Sequence, residues 1–190
     1  MEMGTLRFIK DDKIVSRALP RLTIRYSNDF IYLGNLQYIS QETHHVEAFI
    51  FLNPNTRGHA ASMMLVHFEG LLEGREGSCM VPGDETVELN GEIYQYERRF
   101  ISANEAFSRS SGTGLSLAAD YIRQRAYTLS GDMIYHRFWR CLEDDNRDSF
   151  SISFLEATED RKRAAELAKR DPSTARAMLE RALNSFELLP

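Results

Sequence analysis

From Ser149 to Phe154 the chain alternates without a break, with Ser149, Ser151 and Ser153 on one side and Phe150, Ile152 and Phe154 on the other. That pattern fits an extended strand, because successive Cβ atoms of a strand point to opposite faces, whereas on a helix the same residues would spread round the whole circumference. Such a strand has one greasy face that must be covered. Its hydroxyl face is expected to meet water. Arg21 to Tyr26 repeats the pattern, with Leu22, Ile24 and Tyr26 opposed to Arg21, Thr23 and Arg25.

Turn chemistry joins further strands. Asn90-Gly91 sits between Thr86-Val87-Glu88-Leu89 and Ile93-Tyr94-Gln95-Tyr96. It suits a type I′ turn, whose two central residues both need positive φ. Gly34-Asn35 separates Phe30–Leu33 from Leu36–Ile39 and suits a type II′ hairpin. Thr43 to Leu52 and Ala61 to Leu72 read as the arms of a longer hairpin around the turn formers Asn53 to Gly58. Met63-Met64-Leu65 could also sit on a helix, but alternation, with Gly70 and Gly74 near the end, favours a strand. Met133 to Leu142 and Ser149 to Leu155 flank the acidic turn Glu143-Asp144-Asp145-Asn146.

Helical spacing comes later in the chain. Leu115, Ala118, Ala119, Ile122, Ala126 and Leu129 form one stripe, and Ala164, Leu167 and Ala168 a shorter one. Asp171-Pro172 reads as an N-cap followed by proline at the first helical position, opening a stripe that runs through Ala175, Met178, Leu179, Ala182, Leu183 and Phe186. Strands lead and helices follow, without βαβ alternation. The expectation is a single α+β domain over 1–190: strand-rich 5–100, helix 114–129, hairpin 133–156, C-terminal helices 158–188. About eight strands would form a curved antiparallel sheet, with the mid-chain helix and the two C-terminal helices packed on it. Closure towards a partial barrel, with an interior able to hold a ligand, is left open by the pattern.

At 190 residues the chain can bury roughly 70% of its unfolded surface and needs no staple. A net charge of -5 argues against a nucleic-acid surface, which depends on clustered Lys and Arg. Arg161-Lys162-Arg163 is interleaved with Glu159, Asp160 and Glu166 and reads as a solvated helix face. No stretch approaches the ~20 apolar residues of a membrane helix, and Met1 to Lys10 lacks the apolar run of a signal peptide. Cys79 and Cys141 form no Cys-x-x-Cys pair, so a soluble protein of the reducing cytoplasm is expected.

Nucleophile elbows, His-Glu-x-x-His helices and Walker loops are absent from the sequence, and no motif carries a resemblance to a family of established activity. Three groupings could carry chemistry. Arg109, Ser110, Ser111 and Thr113 precede a helix, where backbone N–H groups and hydroxyls could bind an anion; a plain helix cap in a loop is the alternative. If the long hairpin turns near Arg57, His45 faces Glu69 and Glu47 faces His67. That quartet has donors suited to a divalent transition metal, or equally to ordinary cross-strand charge pairs. The whole set depends on register, since a one-residue slip sends its halves to opposite faces. Third, His136 falls across from Glu156, as a structural contact or an acid–base pair. Arg137 and Trp139 share a face with Tyr135, which cation–π packing explains. Tyr32, Tyr38, Tyr94 and Tyr96 could line a cavity or fill a sheet–helix interface.

Missing catalytic motifs and abundant strand aromatics favour a non-enzymatic domain that binds a small apolar ligand or a protein partner, a second copy of itself included. The alternative is a metal-assisted hydrolase or oxygenase built on His45, Glu47, His67 and Glu69.

Overall fold

The computed structural model describes residues 6–55, 58–76, 85–107, 114–142 and 147–189. Strands β1 (Arg7–Lys10), β2 (Lys13–Ser16) and β3 (Leu22–Tyr26) are followed by β4 (Ile31–Ser40), β5 (His44–Pro54), β6 (Ala60–Leu71), β7 (Glu85–Leu89) and β8 (Glu92–Ser102). Then come α1 (Ala103–Ala106), α2 (Gly114–Arg123), β9 (Asp132–Cys141), β10 (Asp148–Thr158), α3 (Arg161–Arg170), α4 (Pro172–Leu183) and β11 (Phe186–Leu189).

The strands form two antiparallel sheets, one of seven in the order β4-β5-β6-β10-β9-β8-β7 and one of four in the order β1-β2-β3-β11. The chain is therefore α+β as expected, and its large sheet is open, not closed into a barrel.

One face of the large sheet carries Phe49, Phe51, Met64, Val66, Phe138, Phe150, Ile152 and Phe154 against Ile14, Ile24 and Tyr26 of the small sheet and Phe186 of β11. Fully burying each such side chain is worth about 1.5–3 kcal/mol, so this aromatic layer is the main adhesive between the sheets. The rings of Phe138 and Phe186 meet edge-on with centroids 5.6 Å apart, and those of Tyr26 and Phe51 lie 4.5 Å apart. Helices α3 and α4 close the end of this layer through Ala164 and Met178 on Ile134. The opposite face, with Ile50, Leu52, Met63, Leu65, Met133 and Leu155, is covered by Ala118, Ala119 and Ile122 of α2. No helix among the described residues is long and apolar enough to cross a membrane.

Asn90 and Gly91 take φ of 51° and 78° in the β7–β8 turn, and Asp171 caps α4 by accepting from Ser173 N at 2.9 Å, both as the sequence predicts. Elsewhere the chain departs from that reading. Gly34-Asn35 makes no turn: Ile31–Ser40 is one continuous strand with a register shift between Tyr32 and Gly34, where Gly34 adopts φ of 138°. A bulge consumes the same positive-φ glycine that a hairpin would. The stripe ending at Phe186 overruns its helix, since α4 stops at Leu183 and Phe186 opens β11 beside β3. The mid-chain helix likewise ends at Arg123, short of Leu129. Cys141 is disulfide-bonded, a state that a reducing compartment does not ordinarily keep, so the cytoplasmic expectation gains no support.

Candidate ligand-binding site

The serines of β10 are not on a wet face. Ser151 and Ser153 are each 2% exposed, on the side of the large sheet that faces α2. Ser151 lies between His67 of β6 and Trp139 of β9, and Ser153 between Leu65 and Arg137. A serine reaches one heavy atom beyond Cβ, so a central strand of serines between strands of larger residues leaves a trough. Helix α1 and the start of α2 roof it with Glu105, Ala106, Gly114 and Leu115, giving a cavity of about 490 Å³. Tyr38 and Ser40 reach it from β4, and Glu97, Arg99 and Ile101 from β8. At Gly114 a Cβ would collide with the Tyr38 hydroxyl and lie 3.4 Å from His67 Nε2, so the roof fits closely there because it has no side chain.

The lining is polar at His67. Its Nε2, and Ser151 Oγ on the neighbouring strand, are buried without a hydrogen-bond partner among the described residues. Burial, with the Arg137 charge adding to it, holds the His67 imidazole down to about 3, so the ring is neutral at ordinary pH. Burial also raises the Tyr38 hydroxyl, with Glu69 pushing further up and Arg137 opposing, and it raises Tyr135, whose hydroxyl lies 3.2 Å from Ser153 Oγ. Both phenols stay protonated. Glu97 is held by Arg99, Glu105 accepts from Arg161 at 2.6 Å, and Glu69 accepts from Ser149 Oγ at 3.3 Å. The Arg137 guanidinium lies 5.1 Å from the Trp139 ring centroid and forms no ion pair with a carboxylate among the described residues.

The expected metal quartet is divided between the two faces. Beside the loop, Pro54 lies opposite Ala60 in the expected register, but a bulge at Asn53/Pro54 then shifts the pairing by one, so Ala48 faces His67 and Val46 faces Glu69. His67 and Glu69 line the cavity, while Glu47 lies on the other face, opposite Phe68. There Arg7 of the small sheet donates to it at 3.1 Å while stacking 4.2 Å from the Phe68 ring. His45, on the Glu47 side, is exposed. Among the described residues no group of three or more His, Cys, Asp or Glu gathers to hold a metal.

His136 pairs across from Phe154, with Glu156 opposite Ile134. The imidazole Nδ1 lies 2.9 Å from the Tyr96 hydroxyl, and Glu156 is gripped by both arms of Arg181 at 2.8 Å. The two therefore serve separate contacts, His136 in the buried core and Glu156 in a partly exposed ion pair with α4. Arg109, Ser110, Ser111 and Thr113 lie outside the described residues. Of the four tyrosines, Tyr38 lines the cavity, Tyr94 and Tyr96 fill the core, and Tyr32 stacks beside Phe49 and Phe51.

Chemically the cavity is suited to holding a molecule. A neutral imidazole with its pKa near 3 is a weak base at neutral pH, and Ser153 Oγ contacts a tyrosine hydroxyl, with no histidine bonded to it among the described residues. No family model, curated protein or solved structure matches this chain.

Proposed function

We propose that this chain is a non-enzymatic ligand-binding protein that holds one small molecule in the cavity between the seven-stranded sheet and α2. The observation that carries the reading is His67 Nε2, a polar atom of a cavity-lining side chain that is buried without a hydrogen-bond partner among the described residues. Such an atom costs about 1–3 kcal/mol if left unsatisfied. A bound molecule with a polar end can supply that partner. A volume of about 490 Å³ also falls in the range of small-molecule sites.

Native mass spectrometry of the purified protein, with and without Ser153→Leu, tests this. The wild type is expected to carry a small molecule or to gain thermal stability from one in a metabolite panel; a ligand at about 100 times its Kd adds roughly 2.7 kcal/mol. The leucine variant, which fills the trough from its floor, is expected to lose that response while still unfolding cooperatively. Equal responses from both proteins would place the ligand elsewhere, and no response from either would end the reading.

Self-association is a second reading with its own support. Strand β4 is an edge of the large sheet, and Ile31, Tyr32 and Ile39 on it are 39%, 37% and 52% exposed. Open edges with apolar side chains are templates for pairing with another strand. Sedimentation of wild type and Ile39→Lys checks it: a dimer lost in the variant supports edge pairing, and a wild-type monomer at high concentration rules it out.

A further inference from the structure

Building on the ligand-binding reading, we infer that the cavity selects a small organic monoanion, a carboxylate on an apolar body, and that Arg137 is the residue that recognises it. Charge accounting leads there. Arg99 and Arg137 are the two cationic side chains among the described residues lining the cavity, and Arg99 is already paired with Glu97. Arg137 is half-buried on the trough wall, always charged, and without a carboxylate among the described residues. Withdrawing a guanidinium from water without a counter-charge is costly, and a ligand that supplies the charge removes the cost.

The nearest protein carboxylates have other commitments. Glu97, directly opposite Arg137 across β8 and β9, is turned to Arg99, Glu105 is bound to Arg161, and Glu69 takes a hydroxyl from Ser149. A single guanidinium matches a monoanion better than a phosphate dianion, the more so because Glu69, which takes only a neutral hydroxyl, keeps its own negative charge in the lining. The planar guanidinium lies over Trp139, itself 2% exposed, so its orientation is set before any ligand arrives. A guanidinium so held can donate two parallel hydrogen bonds to a carboxylate. The protonated hydroxyls of Tyr38 and Tyr135 are available as further donors, and Ile101, Ala106 and Leu115 offer an apolar surface for the rest of the molecule.

Trp139 is the one tryptophan of the chain, so its fluorescence reports on Arg137 without a label. The experiment titrates straight-chain carboxylates from butanoate to decanoate, and the matching primary amides, into the full chain as wild type, Arg137→Met and Arg137→Lys. The wild type is expected to bind the best acid roughly tenfold or more tighter than its amide, the difference a charge-assisted hydrogen bond makes. Arg137→Met should abolish that preference while leaving amide binding within about threefold. Arg137→Lys should keep only part of it, since it retains charge but not the fork. An amide bound as tightly as its acid by the wild type, which needs no variant at all, overturns anion selection and leaves the ligand-binding reading standing. A preference that survives in Arg137→Met overturns the role of Arg137. Silence from every acid and amide in the series overturns anion selection and leaves the ligand-binding reading to the mass-spectrometric test.

Discussion

Gly34→Ala is expected to destabilise the protein by about 2–4 kcal/mol, a large effect for adding one methyl group to a strand. Two independent penalties meet at that position. Gly34 holds φ of 138°, which an L side chain rarely adopts, and such backbone strain costs of order 1–3 kcal/mol. A Cβ there would also collide with the Tyr121 hydroxyl and come within 3.0 Å of the ring carbon bearing it. That hydroxyl donates to Leu33 O at 3.3 Å and so ties α2 to the bulged edge strand, while Arg125 stacks on the ring at 3.4 Å. Displacing the tyrosine would loosen the helix that covers the cavity, so ligand affinity should fall together with stability.

A double-mutant cycle separates the two penalties. In a Tyr121→Phe background, Gly34→Ala should cost about 1 kcal/mol less than in wild type, because the colliding oxygen is gone and the backbone strain remains. Urea unfolding of the four proteins gives both numbers. A Gly34→Ala protein within about 0.5 kcal/mol of wild type would mean that the bulge is not formed as described.

Gly34 also marks where sequence reading stops. Local chemistry was legible wherever one residue type has one conformational use in context: Asn90-Gly91 for a type I′ turn, Asp171-Pro172 for a helix start, alternation for β3 and β10. A positive-φ glycine inside an apolar run has two uses, turn or bulge. The choice between them is made by Tyr121, 87 positions further on (121 against 34), which occupies the space a side chain would need. Phe186 shows the same limit. Its spacing after Ala182 continues a helical stripe, yet its burial is earned against Phe138 and its backbone pairs with Tyr26 near the other end of the chain. Such non-local partners leave no mark in the local pattern.

The site was half legible. Strands β6, β9 and β10 and the start of α2 were legible, whereas α1 was not and β4 reads as a hairpin; the trough is announced by the serine alternation, but small polar side chains on a strand have the same spacing whether they face water or the floor of a cavity. What decides between the two is α2, which lies over them. The histidine and glutamate positions on β5 and β6 were visible as candidates, and a bulge of one residue at Asn53/Pro54 separated them. No periodicity announces a bulge, and its consequence for a period-two structure is total: every side chain beyond it changes face. Arg137 was readable only as a cation–π partner, because whether an arginine has a carboxylate depends on where the carboxylates of other strands turn.

Acid should weaken this protein well before its carboxylates titrate. His67 and His136 are both buried and both held down to about 3, mainly by burial. Arg137 adds to the effect at His67, and Arg98 of β8 and Arg181 of α4 add to it at His136. In the unfolded chain the same rings titrate near 6.5. Between those values the unfolded state takes up protons that the folded state refuses, so it is the more protonated form and stability rises with pH. The contribution is fully present above about pH 7 and drains as pH falls, by up to ~1.4 kcal/mol per unit for each histidine. At pH 5 the loss is about 2 kcal/mol per ring and about 4 kcal/mol for the pair, a large share of the 5–15 kcal/mol that a domain ordinarily has. Urea midpoints from pH 7.5 to 5 measure this directly. His67→Gln and His136→Gln will each cost stability at pH 7, His136→Gln by disturbing the Tyr96 contact at 2.9 Å. Each should nevertheless remove about half of the slope between pH 7 and 5, and the double variant should be nearly flat there. A steep slope surviving in the double variant would show that the histidines are not buried as described. A bound carboxylate hydrogen-bonded to His67 would favour the charged ring and so raise its pKa. In ligand-saturated protein the His67 share of the slope should therefore shrink and the His136 share remain, which ties the acid sensitivity of the fold to the occupancy of its cavity.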